Sequence, residues 1–315
     1  MTFQSPGRLW LNLDPRPAME HIHLKVPSIY YAAMITTVVA MVIFGPLIHK
    51  LRLPVNERLL WLAAILVLPL QPAAFYYVRV PFDHWAAAHL GTGSAGYYWL
   101  KTCYAPLTEE PAKLVPLLIP AIRQDIRTDN FVRYALAIGL GFAIGEMWFV
   151  AERVARAPEF AGLPFYQFGG YFGERLMTCV FHSAFVSLSL WGLRRNFPLG
   201  FAGAAAAHWL GNFPLLLLTG KSGGFSKAWR VGIVEGWLMV YFLAALALLS
   251  CFAFGRFAPG RLFFGRRRCP ECSQEYDPPL FAVNMGPKRY ERCPHCRKWH
   301  WTSRTRANFS PPASN

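Results

Sequence analysis

Residues Leu107 to Leu118 read LTEEPAKLVPLL. Glu109 and Glu110 are adjacent carboxylates, and Lys113 lies within reach of both on a helix, four and three residues on. The surrounding run is apolar enough to be embedded in a membrane. There an ionised group costs about 2.5–3.5 kcal/mol on the lenient insertion scale, and each of two neighbouring carboxylates disfavours ionisation of the other. Residues that costly are functional by default, so the pair reads as a site. The alternative is an interface helix whose exposed glutamates pair with the lysine. Further polar groups fall inside other apolar segments: Glu146, His182, and the pair His208 and Asn212, which are four apart and share a helix face. Polar groups in a bilayer must find partners, so six of them on four segments most economically meet in one cavity. Carboxylates with imidazoles have the parts for general acid–base hydrolysis.

A second chemistry lies near the C-terminus. CPEC (Cys269, Cys272) and CPHC (Cys293, Cys296) are separated by twenty residues. Two such knuckles supply four thiolates for a tetrahedral shell, the signature of a zinc ribbon holding structural Zn2+, with iron as the minor alternative. Thiolates of this kind imply a reducing compartment and place the tail in the cytosol. Cys103, Cys179 and Cys251 lie in apolar segments as small hydrophobes, and nothing suggests a disulfide framework.

The elements that must position these groups are membrane helices. The chain has 315 residues, 54% hydrophobic and 16% charged, well below the roughly 25% charged of soluble domains. A net charge of +15 in such a chain reports orientation and anionic headgroups before it reports nucleic acid. Seven segments are expected: Ser28 to Ile48, Leu59 to Val78, Tyr97 to Ile122, Phe131 to Val150, Tyr171 to Leu193, Phe197 to Leu218 and Val231 to Phe254. Pro69 and Pro72 are expected to kink the second. The third carries the glutamate pair and Pro106, Pro111, Pro116 and Pro120, which suits either a broken helix facing a wet cavity or a shorter helix N-capped by Thr108. In the fourth, Gly141 and Gly145 form a small-residue face for close helix approach beside Glu146. The fold class is thus an all-α polytopic membrane protein of about seven transmembrane helices with a small C-terminal zinc-ribbon domain. Residues 1–27 form a polar segment that does not read as a signal peptide, 28–255 the helical domain, 256–268 a basic linker, and 269–315 the ribbon and a polar tail.

EEPAK at Glu109 to Lys113, FAIGE at Phe142 to Glu146 and HWLGN at His208 to Asn212 resemble the EExxK, FxxxE and HxxxN motifs of PrsW-type intramembrane proteases, relatives of the type II CAAX prenyl endopeptidases. His182, after Arg175, matches a further histidine of that family. The CAAX endopeptidases proper carry a histidine where Glu146 stands and an arginine where Leu114 stands, which points away from prenylated substrates. Met147 also departs from the asparagine that follows this glutamate in many PrsW relatives. The resemblance implies an intramembrane endopeptidase in a bacterial cytoplasmic membrane that cleaves a membrane-anchored protein or peptide. Glu109 would be the general base on water, with Glu110 coupled to it; His208 would donate to the leaving amine or oxyanion, and Asn212 would complete the oxyanion pocket. The family has been regarded as metal-dependent, and the same groups also serve a metal-free mechanism. HExxH is absent, which excludes a site-2-type zinc protease. The competing class is a non-proteolytic carrier or scaffold that relays protons, for which an internal inverted repeat is expected and not found. The ribbon, with Arg289, Arg292, Arg297, Trp299 and Trp301, is expected to show a basic aromatic surface to a cytosolic protein, nucleic acid or the acidic bilayer face.

Overall fold

A computed structural model describes residues 27–51, 53–214, 226–256, 258–285 and 288–303. The expectations for residues 1–26, for the end of the sixth segment and for the tail beyond 303 lie outside them. The described chain is mostly helical. Helix α1 runs Ser28–Lys50. Helix α2, Glu57–Val67, starts where the Asn56 side chain accepts the N–H groups of Arg58 and Leu59, a cap that satisfies two orphan donors. Pro69 cannot continue the ladder, so α3 (Leu70–Ala74) sets off at a bend of 41° and passes through a π-helical turn, Phe75–Arg79, into α4 (Val80–Leu90). The expected kink is present.

The third expected segment is not one helix. It is α5 (Ala95–Thr102), α6 (Tyr104–Lys113), a 3₁₀ turn over Val115–Leu118 and α7 (Pro120–Asp125). Pro116 and Pro120 lack the N–H that an α-ladder needs and stand at the start of the last two pieces. Thr108 is no N-cap: it lies inside α6, where its hydroxyl donates to the Tyr104 carbonyl. Helices α8 (Phe131–Ala155), α9 (Gly169–Leu193), α10 (Phe197–Asn212) and α11 (Lys227–Phe254) complete the bundle.

Four of these helices are long and apolar enough to cross a membrane, and the bent α2–α4 pair would make a fifth. That is consistent with an integral membrane protein and fewer spans than the seven expected, because the third segment is broken and the described part of the sixth is only 16 residues long. Helix α8 is the axis of the bundle. It packs along α9, α1 and α2, and most of its residues are buried. Its glycines set the closest contact: a Cβ at Gly141 would stand 2.0 Å from the Ala64 carbonyl oxygen, and one at Gly145 2.0 Å from that of Leu68.

Beyond α11 the chain turns through Gly255, whose φ of 69° suits glycine. The expected linker contains a short helix, α12 (Pro259–Phe264), with Leu262 buried in the same apolar cluster as the bundle. The C-terminal domain has two small antiparallel sheets: β1 (Arg267–Arg268) with β2 (Glu275–Tyr276), and β3 (Val283–Met285), β4 (Lys288–Arg292) and β5 (Trp299–Ser303) in that order. It packs onto α12. A Cβ at Gly260 would meet the Pro278 carbonyl at 2.0 Å, Arg256 and Arg261 both pair with Asp277, and the Arg289 guanidinium lies 3.8 Å from the centre of the Phe264 ring.

Candidate active site and metal centre

Helix α6 buries one face, which carries Tyr104, Pro106, Glu109, Glu110 and Lys113. The two carboxylates are 6% and 1% exposed, and Lys113 is fully enclosed. Lys113 pairs with Glu110 at 2.5 Å, one turn back, and not with Glu109. Its ammonium also faces the rings of Phe142 on α8 and Phe185 on α9 at 4.9 and 5.3 Å, so an aromatic box replaces water around the charge.

From α10, His208 reaches across to the same pair. Its Nδ1 stands 2.6 Å from Glu110 Oε1, and its Nε2 stands 3.7 Å from Glu109 Oε2. Phe185 stacks on the imidazole at 5.0 Å and fixes its plane. A single ring therefore bridges both carboxylates. Glu110 is held on two sides, whereas Glu109 has no hydrogen-bond partner among the described residues.

A second carboxylate–imidazole pair stands opposite. Glu146 on α8 accepts from Arg175 at 2.7 Å on Oε1 and lies 2.7 Å from His182 Nε2 on Oε2, so both of its oxygens are engaged. Arg175 also pairs with its neighbour on α9, Glu174, at 2.5 Å. The His182 and His208 rings meet nearly perpendicular with centroids 5.9 Å apart, and Phe142 lies edge-on to His182 at 5.0 Å. His182 Nδ1 is buried without a hydrogen-bond partner among the described residues.

Five of the six residues singled out in the spans thus converge on one volume. Asn212, the sixth, is half-buried at the last turn of α10, and no hydrogen bond joins it to the carboxylates among the described residues. Phe185 was not singled out in the sequence, although it sits three residues after His182, on the same face of α9 as a helix requires. Arg175 was noted only as a landmark before His182, and its role as the clamp on Glu146 needed the three-dimensional contact. Glu235 is exposed on α11, away from this cluster.

The four ribbon cysteines form a different centre. Their sulfurs all lie within 4.8 Å of one another, with Cys269 and Cys296 3.7 Å apart and Cys272 and Cys293 3.8 Å apart. The two knuckles share one backbone pattern. Cys269 N–H donates to the Gln274 carbonyl and Ser273 N–H to that of Cys269; Cys293 N–H donates to Lys298 and Arg297 N–H to Cys293. Ser273 and Arg297 occupy the same place in each turn and adopt left-handed φ values of 57° and 61°. Burial pushes the Cys269 thiol up, but the N–H groups of Cys272 and Glu271 and the thiols of Cys272 and Cys296 outweigh it and lower it, while burial and the neighbouring thiols raise Cys272 and Cys296. A thiol so lowered readily gives the thiolate that a metal needs. Four sulfurs in this arrangement fit one tetrahedral metal ion such as zinc.

Among the described residues no other set brings three or more ligand atoms so close. In the bundle three of the four nitrogens of His182 and His208 face carboxylates, two of them at 2.6–2.7 Å. Behind the cysteines lies a buried polar network. His300 Nδ1 is 4.0 Å from Cys269 Sγ, and its Nε2 is 3.1 Å from the Tyr276 hydroxyl. Tyr276 donates to Glu291 at 2.9 Å, which also accepts from Thr302 and Arg289. Arg289, expected on the surface, is therefore 1% exposed, because Glu291 and the carbonyls of Pro279 and Leu280 satisfy it inside.

Compared with known proteins, the chain matches no family model, no curated protein and no solved structure.

Proposed function

We propose that the protein is an intramembrane endopeptidase of the PrsW-like kind, cleaving a membrane-anchored protein or peptide with a water molecule activated by Glu109. One observation carries this reading. Two adjacent buried carboxylates share a single imidazole, yet Glu110 is held through its Oε1 by both Lys113 and His208, while Glu109 is left with an unoccupied carboxyl beside His208 Nε2. In the proposed step Glu109 takes a proton from water as the oxygen attacks the peptide carbonyl. Glu110 and Lys113 hold His208 in plane, so that its Nε2 can deliver a proton to the leaving amine. Asn212, one helical turn beyond His208, would donate to the oxyanion. Glu146 is unsuited to act as the base because Arg175 and His182 occupy both its oxygens, and it orients His182 against His208.

The metal centre is assigned to the ribbon, with Cys269, Cys272, Cys293 and Cys296 as ligands and Zn2+ as the ion, in a structural role. Zinc thiolates of this type call for a reducing environment, which places the ribbon in the cytosol.

The test compares membrane proteomes of cells expressing the native chain with those expressing Glu109→Gln. The expected result is accumulation of an uncut membrane protein at equal expression, with cleavage slowed by about 10²–10⁴, the usual worth of a general base. Native cleavage of the accumulated protein by the purified variant would overturn the assignment.

A further inference from the structure

The three-stranded ribbon sheet is turned inside out. Its inner face carries Arg289, Glu291, His300 and Thr302, all buried, while its outer face carries apolar and aromatic side chains. Strand alternation fixes that outer face. Val283 and Met285 share it on β3, Lys288, Tyr290 and Arg292 on β4, and Trp299 and Trp301 on β5. Tyr290 stacks with Trp299 at 5.4 Å and lies 5.1 Å from Trp301, so three rings form one platform. Val283, Met285, Trp299 and Trp301, with Phe281 just before β3, are 45 to 75% exposed. A contiguous exposed patch of this kind marks an interaction surface, since polar groups have been taken inside to leave it apolar.

The charge on this face is uncompensated. Each of the domain's four carboxylates is committed to an ion pair: Glu271 with Lys298, Glu275 with Arg266, Asp277 with Arg256, and Glu291 with Arg289. Lys288 and Arg292 flank the aromatic platform, exposed, with no carboxylate partner among the described residues. The partner is therefore anionic and offers apolar depth as well. The place of the ribbon in the molecule favours a bilayer. It hangs through α12 from α11, the least buried of the four helices long and apolar enough to cross a membrane, 22% against 72% for α8 and 67% for α9. A peripheral helix leaves the ribbon beside the bundle, next to lipid, at high effective concentration. Trp and Tyr with Lys and Arg are the side chains that settle at the headgroup level.

We infer that the outer sheet face, with Trp299, Trp301, Tyr290, Val283 and Met285 as its apolar contact and Lys288 and Arg292 as its anion contacts, seats the ribbon on the anionic lipid surface of the membrane that holds the bundle. The inference stands apart from the hydrolytic reading. The test places the full chain, labelled with fluorotryptophan, in nanodiscs that contain spin-labelled lipid. The Trp299 and Trp301 resonances are assigned through Trp299→Phe and Trp301→Phe, with metal content as the check on folding. Both resonances are expected to broaden in phosphatidylglycerol-containing discs. The broadening should be lost at about 1 M salt, where the Debye length is near 3 Å, and in Lys288→Glu/Arg292→Glu. Sharp resonances in anionic discs would overturn the inference. So would broadening that ignores lipid charge, or a shift produced by a single-stranded oligonucleotide in place of lipid.

Discussion

His208 faces a carboxylate on each side, and that decides what its neighbours can do. With Nδ1 2.6 Å from Glu110 and Nε2 3.7 Å from Glu109, the ring is fixed by the first carboxylate and open toward the second. Glu110 is in turn fixed by Lys113 inside the Phe142–Phe185 box. Lys113→Met should therefore cost about 3–5 kcal/mol, the usual penalty for stranding one member of a buried ion pair. Thermal unfolding in detergent would show it, and Glu110→Gln/Lys113→Met should recover much of the loss, because both charges leave together. A single variant as stable as the native chain would mean that the pair is not the enclosed one described. At this scale much of the site was legible. Glu109, Glu110, Glu146, His182 and His208 stood out because ionisable groups are rare in apolar runs. Which carboxylate Lys113 chooses was not legible, since both spacings suit a helix, and Arg175 looked like an ordinary residue near a span end.

Among the elements, α8 bears the strictest constraint. Gly141 and Gly145 let it lie against the carbonyls of Ala64 and Leu68, at the point where the second span breaks before Pro69. The closeness brings Glu146 into the same volume as α6 and α9. A side chain at Gly145 meets backbone, which cannot rotate away. Gly145→Val should thus force α8 from the bent span and destabilise by about 1–3 kcal/mol or more. It should also lower activity beyond what its stability loss explains, because Glu146 moves with the helix. Gly203→Ala on α10, where a Cβ meets nothing, is the matched control and should be neutral. The small-residue face was legible from spacing alone. The break of the third segment into α5, α6 and α7 was legible only as an alternative, since hydropathy measures how apolar a run is and not whether its ladder is continuous. The burial of Arg289 was hidden for a related reason: alternation along β4 gives two faces, and composition alone does not say which one is covered.

For the whole molecule the question is how far the ribbon and the bundle depend on each other. The ribbon docks through Gly260, Arg261 and Phe264 of α12, and Leu262 on that short helix joins the apolar cluster of the bundle. From Cys269 a chain of buried contacts runs through His300, Tyr276 and Glu291 to Arg289, which rests on Phe264. Metal occupancy should hold that chain in place, whereas the carboxylate–imidazole cluster sits on α6, α8, α9 and α10 and borrows nothing from the ribbon. Structural zinc in small ribbons contributes about 10–16 kcal/mol of binding energy, far more than two tiny sheets can supply by packing. Removal of the ion, by chelator or in Cys269→Ser/Cys272→Ser, should therefore unfold residues 267–303 and leave the thermal transition of the bundle nearly unchanged. Tyr276→Phe should act in the same direction more weakly, by about 1–3 kcal/mol, because Glu291 loses a donor in a buried network. Elemental analysis with limited proteolysis reads both consequences. The native chain should carry one zinc and resist cleavage in the ribbon, and the double serine variant should carry none and be cut there first. Zinc content unchanged in that variant would move the metal out of the ribbon, and concerted loss of the bundle transition would show that the two parts fold as one.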